Sequence, residues 1–190
     1  GNRGDDTLDG GSGADTMLGG SGNDTYTVDN AGDVVREYAN SGMDEVRSSL
    51  TFTMDSQVES LTLTGNADTN GTGNELDNLI TGNGGVNRLD GKSGTDHLIG
   101  GLGNDILIGG TGDNDLLEGG AGFDTYYYIT GDGIDQIEDS DATGRIFYDG
   151  QLLLGGVRQD GDPADTYKST DGVFTYVMSG GHLIVNGMLT

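Results

Sequence analysis

Aspartates recur at a step of nine residues near the start of the chain, at Asp6, Asp15, Asp24 and Asp33. A glycine precedes three of them by two places, at Gly4, Gly13 and Gly22. An apolar residue follows each by two places, so the unit reads G-G-x-G-x-D-x-U-x, where U is apolar. Carboxylates and backbone carbonyls are hard oxygen donors of flexible number, which suits Ca²⁺ better than Mg²⁺. The spacing therefore predicts repeated calcium sites, in turns whose glycines let carbonyl oxygens point inward.

The same register returns in the second half of the chain, in units that begin at residues 82, 91, 100, 109 and 119. Its aspartates are Asp96, Asp105, Asp115 and Asp124, and its turn glycines are Gly94, Gly103, Gly112 and Gly122. One unit has ten residues, and we place the extra residue in its turn, near Asp113. Asn78 and Asn87 occupy the aspartate position in the units that begin at residues 73 and 82. Asparagine offers oxygen without charge, so we expect weak or empty ion sites there and coils joined by stacked amides.

Composition narrows the functions that the chain can have. Its 190 residues carry a net charge of −24, which disfavours nucleic acid and anionic membranes as partners. It has no run of about 20 apolar residues that would span a bilayer. Zinc is improbable, because the chain has no cysteine and only two scattered histidines. The chain begins at Gly1 without a leader, and we interpret it as a fragment of a longer protein.

Packing alone does not hold such units in shape. Burying one side chain in a unit gains about 1.5–3 kcal/mol, whereas ordering the backbone costs about 1–2 kcal/mol per residue. If the strands stack as coils about 4.8 Å apart, aspartates 18 residues apart face each other and repel by roughly 3 kcal/mol at an effective dielectric constant near 20. A divalent cation between the coils reverses the sign of that interaction. The short x-U-x strands are therefore expected to stack only around ions.

These units resemble the RTX (hemolysin-type) calcium-binding nonapeptide repeats of secreted bacterial toxins, lipases and proteases. The resemblance implies an all-β, parallel β-roll or β-helix solenoid, in which x-U-x is a strand and two units make one turn of the coil. It also implies several Ca²⁺ ions, held by the aspartate carboxylates and by carbonyls of the glycine turns. Ligands would be shared between units n and n+2, in the pairs Asp6 with Asp24, Asp15 with Asp33, Asp96 with Asp115, and Asp105 with Asp124. Asp33 is a marginal ligand, because Ala31 stands where glycine belongs.

We divide the chain into four parts. Residues 1–36 and 73–139 are two calcium-binding blocks, which end alike in "NDTYTVDNAGDVVRE" and "FDTYYYITGDGIDQIE" and so suggest duplication. Residues 37–72 lose the nine-residue step but alternate apolar and polar residues, so we expect wider coils of one solenoid, with a loose linker as the alternative. Residues 140–190 are predicted to form a capping β-hairpin region, with turns at Asp149–Gly150 and Asp171–Gly172.

The resemblance implies a module that leaves the bacterial cell unfolded, through a type I secretion apparatus that serves its parent protein, and folds outside on Ca²⁺. We expect no catalysis in this chain, because His97 and His182 have no catalytic partner at a recognisable spacing. Asp162–Pro163 is interpreted as a plain turn, with the calcium-triggered self-cleavage of some RTX proteins as the alternative. Two other functions stay open: an adhesin or glycan-binding module that uses Tyr148, Tyr167 and Tyr176, and an accessory segment of a secreted hydrolase or epimerase.

Overall fold

The computed structural model shows an all-β chain whose short strands coil into a parallel solenoid, which confirms the predicted fold class. It describes residues 1–152 except 40, 41, 113, 130, 141 and 142. After residue 152 it describes only the backbone of three strands. Within the described residues no helix is long and apolar enough to cross a membrane.

The strands of residues 1–72 are short. They are β1 (Thr7–Asp9), β2 (Thr16–Leu18), β3 (Thr25–Val28), β4 (Val34–Arg36), β5 (Glu45–Ser48), β6 (Phe52–Thr53), β7 (Ser60–Leu63) and β8 (Gly71–Thr72). Those of the second half are mostly longer. They are β9 (Leu79–Thr81), β10 (Arg88–Ser93), β11 (His97–Leu102), β12 (Ile106–Thr111), β13 (Leu116–Ala121), β14 (Asp124–Tyr128), β15 (Ile134–Glu138) and β16 (Gly144–Tyr148). Four further strands follow, β17 (Gln151–Leu152), β18 (Thr166–Lys168), β19 (Phe174–Ser179) and β20 (His182–Gly187).

Alternate strands form the two faces of the solenoid. One sheet has the order β1-β3-β5-β7-β9-β11-β13-β15, and the facing sheet has the order β16-β14-β12-β10-β8-β6, while β2 pairs with β4. Arg88 pairs with Ile106 in the register of two nine-residue units, whereas His97 pairs with Leu116 because the ten-residue unit adds one position. Strands β5 to β8 continue the same sheets through residues 37–72, but the number of positions between paired residues changes there. Thr25 pairs with Glu45, 20 positions later, and Glu45 pairs with Ser60, 15 positions later.

The core is a column of side chains from the U positions. Each x-U-x strand turns its middle residue inward and its two neighbours outward, since side chains alternate across a strand. Leu89, Leu98 and Leu107 are fully buried, and Tyr26 and Tyr126 occupy the same inward position at the ends of the two blocks. Only one or two apolar residues per strand are buried, which makes a narrow core, so the turns must contribute to stability.

Glycine is required where the turns bring successive coils together. Gly103 has φ +123°, and a Cβ there would collide with the carbonyl oxygen of Gly85 in the preceding coil. In the ten-residue unit Gly112, unlike Gly103, does not have a positive φ, whereas Asn114 has φ +73°. Asparagine tolerates this left-handed conformation better than most residues, which lets the longer turn close.

The solenoid ends in antiparallel pairing, as predicted. β20 pairs antiparallel with β15 and then with β19, which pairs with β18. β16 and β17 form a hairpin, and the turn residues Asp149 and Gly150 both have positive φ, as a type I′ turn requires. The predicted turn at Asp171–Gly172 and the Asp162–Pro163 bond lie outside the described residues.

Candidate metal sites

The predicted ligand residues line up along two edges of the solenoid, one residue per coil, at the start of successive strands. We call these edges the first and second rims. The first rim holds Asp6, Asp24, Asp44, Glu59, Asn78, Asp96, Asp115 and Asp135. The second rim holds Asp15 and Asp33 in the first block, and Asn87, Asp105 and Asp124 in the second. The parallel register therefore stacks the aspartates that the sequence places in units n and n+2.

One carboxylate oxygen of each stacked aspartate is held by the coil before it. The backbone N–H of Asp6 donates to Oδ1 of Asp24 at 2.7 Å. The N–H groups of Asp96 and Asp105 donate in the same way to Oδ1 of Asp115 and Asp124, both at 2.8 Å. Asp15 donates to Oδ1 of Asp33 at 3.1 Å. All four predicted pairs thus lie in direct contact, through a backbone donor and not through two facing carboxylates.

The other carboxylate oxygen is buried without a donor at several positions. Oδ2 of Asp15, Asp24, Asp96 and Asp105 is inaccessible to solvent and accepts no hydrogen bond. A buried acceptor left unsatisfied costs about 1–3 kcal/mol, and more when it is charged. Because these atoms are carboxylate oxygens, the group that would satisfy them is a cation.

Backbone carbonyls lie beside these oxygens, and glycine keeps the space between them open. A Cβ added to Gly100 would lie 2.5 Å from both Oδ2 of Asp105 and the carbonyl oxygen of Gly119. Asp96 and Gly109 are arranged in the same way around Gly91. Carboxylate and carbonyl oxygens converging on one space are the donor set that Ca²⁺ prefers, so the residues present fit the ion. These carbonyls belong to the first glycine of the unit, whereas the sequence analysis named the third, and that assignment stays a prediction.

Burial raises the pKa of two carboxylates of the second block. It raises the pKa of Asp96 to about 7, while the backbone N–H of Asn78 acts in the opposite direction. It raises the pKa of Asp105 to about 6, with the N–H of Asn87 again opposing and the charge of Asp124 adding to the increase. Both shifts show that a negative charge at these positions is costly without a counter-charge.

On both rims, an asparagine at the aspartate position has its side-chain atoms hydrogen-bonded within the chain. Nδ2 of Asn87 donates to the carbonyl oxygen of Thr69 at 2.6 Å and to Oδ1 of Asn83 at 3.1 Å, and its Oδ1 accepts from the N–H of Asn83 at 2.8 Å. Asn78 bonds in the same way to the carbonyl of Val58 and to Asn74. These amides are buried and bonded at both atoms. These hydrogen bonds support the expectation that the ion sites at Asn78 and Asn87 are weak or empty. That expectation stays a prediction.

At the outer coils of the first block, Asp33 has donors for both carboxylate oxygens and Asp6 has a donor for its Oδ2. Oδ2 of Asp33 accepts from the N–H groups of Asp29 and Asn30 at 3.2 and 3.1 Å. The backbone N–H of Asp15 is the main reason that the pKa of Asp33 is lowered. Oδ2 of Asp6 accepts from the N–H of Asn2 at 3.1 Å. Their assignment as calcium ligands also stays a prediction.

Three acidic residues on the first rim were not predicted, namely Asp44, Glu59 and Asp135. Oδ1 of Asp44 accepts from the N–H of Asp24, Oε2 of Glu59 accepts from that of Asp44, and Oδ1 of Asp135 accepts from that of Asp115. A signal existed for two of them, because Gly42-x-Asp44-x-Val46 and Gly133-x-Asp135-x-Ile137 preserve the inner half of the motif. No glycine precedes Glu59 at that spacing, so only the fold reveals it.

His97 lies on the outer face of β11, where its Nε2 is 2.6 Å from Oε1 of Glu118. Both side chains are more than one-third exposed. The two residues form a surface pair, and the side chain of His182 lies outside the described residues.

The family model described as the RTX calcium-binding nonapeptide repeat matches this chain in four copies, over residues 1–26, 72–107, 81–116 and 109–125. The matched stretches contain three predicted aspartates of the first block and all four of the second. The resemblance found in the sequence is therefore confirmed. No curated protein matches the chain.

Proposed function

We propose that this chain, whose matched stretches are RTX calcium-binding nonapeptide repeats, is a module that folds when its turns bind Ca²⁺. The ligands we propose are the aspartates Asp6, Asp15, Asp24, Asp33, Asp96, Asp105, Asp115 and Asp124. Carbonyl oxygens of the turns that contain Gly4, Gly13, Gly22, Gly94, Gly103, Gly112 and Gly122 would complete the sites, together with those of the first glycines, such as Gly109 and Gly119.

The observation that carries the proposal is the set of buried carboxylate oxygens without donors. Asp96 and Asp105 are 2% and 0% exposed, and each leaves Oδ2 unsatisfied. Asp96 lies on the first rim and Asp105 on the second, and a dication bound at each rim would supply the positive charge that the Oδ2 atom there lacks. Its absence leaves buried anionic oxygens with no donor, so the coil is expected to open.

Folding on calcium makes the structure conditional on the compartment. Each site adds RT ln(1+[L]/Kd) to the stability of the folded state, about 1.4 kcal/mol when free calcium is ten times Kd. Extracellular calcium modules bind at about 10⁻⁴–10⁻³ M. Several sites of that strength favour the unfolded chain where calcium is scarce and the solenoid where it is abundant. This behaviour fits export of the unfolded chain by a type I apparatus and folding outside a bacterial cell, as part of a secreted toxin, adhesin or exoenzyme.

The test is far-UV circular dichroism of the full chain during a calcium titration that starts in chelator, with magnesium at equal concentration as the control. We expect strand signal to rise cooperatively with calcium and to stay low with magnesium. A spectrum that is already rich in strand in chelator, and unchanged by calcium, would refute the proposal.

A further inference from the structure

A third carboxylate joins the first rim at the end of the first block, from outside the repeat. Carboxylate oxygens of Asp24, Glu37 and Asp44 all lie within 4.8 Å of one another. Asp24 and Asp44 are successive residues of the rim, linked by the hydrogen bond from the N–H of Asp24. Glu37 follows the end of β4 and has no place in the nonapeptide unit. The three residues thus bring together acidic groups that the sequence separates by 20 positions.

The buried oxygen of Asp24 points into this cluster. Asp24 is 1% exposed, and its Oδ2 accepts no hydrogen bond. A Cβ added to Gly19 would collide with Oδ2 of Asp24, the hydroxyl of Tyr26 and Oε1 of Glu37. Three oxygens from different parts of the chain therefore surround one space that glycine leaves open.

Glu37 is held in place for this arrangement. The hydroxyl of Tyr26 donates to its Oε1, and the N–H of Tyr38 donates to its Oε2 at 3.2 Å. The N–H of Gly20 donates to the same Oε2 at 3.4 Å. Tyr26 is fully buried at an inward position where the other units, except that of Tyr126, carry an aliphatic residue. The tyrosine hydroxyl thus orients a carboxylate toward the unsatisfied oxygen of Asp24.

The end of the second block repeats the design in part. The hydroxyl of Tyr126 donates to Oδ2 of Asp139 at 3.1 Å, and a Cβ on Gly119 would collide with that hydroxyl and with Oδ2 of Asp124. The next rim position there is Thr143, whose carbonyl accepts from the N–H of Asp124. The second arrangement therefore has two carboxylates where the first has three.

We infer that Asp24, Glu37 and Asp44 form a divalent-cation site that closes the first block, in which Glu37 is a ligand from outside the nonapeptide repeat. This inference rests on the proposed calcium binding by the rim aspartates. The hard oxygen ligands favour Ca²⁺. Such a site would fasten the segment that follows β4 to the coil before it.

The test is the calcium content of the full chain by equilibrium dialysis, for the wild type, Glu37→Gln and Glu45→Gln. Glutamine keeps the shape of Glu37 and removes its charge. Glu45→Gln removes the same charge next to the rim, from a side chain that instead accepts from Thr62 at 2.9 Å. We expect Glu37→Gln to lose one bound calcium ion, or to bind one at least tenfold more weakly, while Glu45→Gln matches the wild type.

Equal calcium content and affinity in Glu37→Gln and Glu45→Gln, with several ions bound in both, would overturn this inference and leave the proposed function intact. A wild type that binds no calcium would overturn both the inference and the proposed function.

If Glu37→Gln does not fold in calcium, the terbium luminescence of the Tyr26→Phe variant tests the inference instead. We expect lower tyrosine-sensitised emission at unchanged terbium content, with Tyr38→Phe as the control. Equal emission per bound terbium in the two variants would overturn the inference.

Discussion

The asparagine coils around Asn78 and Asn87 and the aspartate coils around Asp96 and Asp105 share one backbone geometry. All four residues occupy the same rim position and are at most 3% exposed. In the asparagine coils both side-chain atoms are hydrogen-bonded, with Nδ2 donating to a carbonyl of the preceding coil. In the aspartate coils Oδ1 is hydrogen-bonded and Oδ2 is not.

The comparison teaches that the need for a counter-charge comes from the atom at one position and not from the fold. An amide brings its own donors, whereas a carboxylate at the same depth needs an external positive charge. The solenoid is thus expected to contain a self-sufficient stretch beside a conditional one. Four predictions test this contrast.

Removing calcium should separate the two stretches most strongly. We expect amides of β11 to β14 to lose protection by about a hundredfold in chelator, since two sites, at the pairs Asp96–Asp115 and Asp105–Asp124, contribute about 1.4 kcal/mol each. Amides of β9 and β10, which follow Asn78 and Asn87, should lose much less. Hydrogen exchange with mass spectrometry, with and without calcium, measures both. Uniform loss along the chain would show that the contrast is wrong.

Asn87→Asp should make an asparagine coil conditional. The substitution removes the donor to the Thr69 carbonyl and places a buried carboxylate against it. We expect a loss of about 3 kcal/mol of stability in chelator. Thermal melts in chelator measure it, with the exposed Asn66→Asp as the matched control. An Asn87→Asp melt equal to that of the control would contradict the role of the amide.

Asp105→Asn tests the reverse change. It removes one anionic ligand from the second rim, so we expect calcium affinity at that site to fall tenfold or more, about 1.4 kcal/mol. Calorimetric titration measures it, and Asp77→Asn is the control, since Asp77 is exposed and only accepts from the N–H of Thr95. Unchanged affinity in Asp105→Asn would exclude this carboxylate as a ligand.

Acidification should affect the aspartate coils around Asp96 and Asp105. Burial raises the pKa of Asp105 to about 6 and that of Asp96 to about 7 in the folded chain. Protonation of these two carboxyl groups therefore stabilises the calcium-free fold. This stabilisation is complete when the pH is below their pKa in the unfolded chain, and it is lost once the pH rises past 7. We expect more strand signal in chelator at pH 5 than at pH 8, and calcium affinity about tenfold weaker at pH 5 than at pH 7. Equal dichroism spectra at both pH values in chelator would contradict this.

Much of the fold could be predicted because the repeat is local. Nine-residue spacing, glycine turns and one apolar residue per strand specify a parallel coil, and the structure has that coil. The prediction was less complete where the spacing changes. Asp44 and Asp135 keep half of the motif and were overlooked, whereas Glu37 and Glu59 have no motif and become visible only through stacking.

The sequence by itself determined the period, the rim positions and the chemical type of their ligands, because each depends on residues within one or two units. Only the tertiary structure decided which oxygens are left without a donor. That outcome depends on contacts between residues about 18 positions apart, such as the N–H of Asn87 on Oδ1 of Asp105. It also decided that Glu37 reaches Asp24, since the route of the chain between two coils sets where a side chain ends and no local spacing records it.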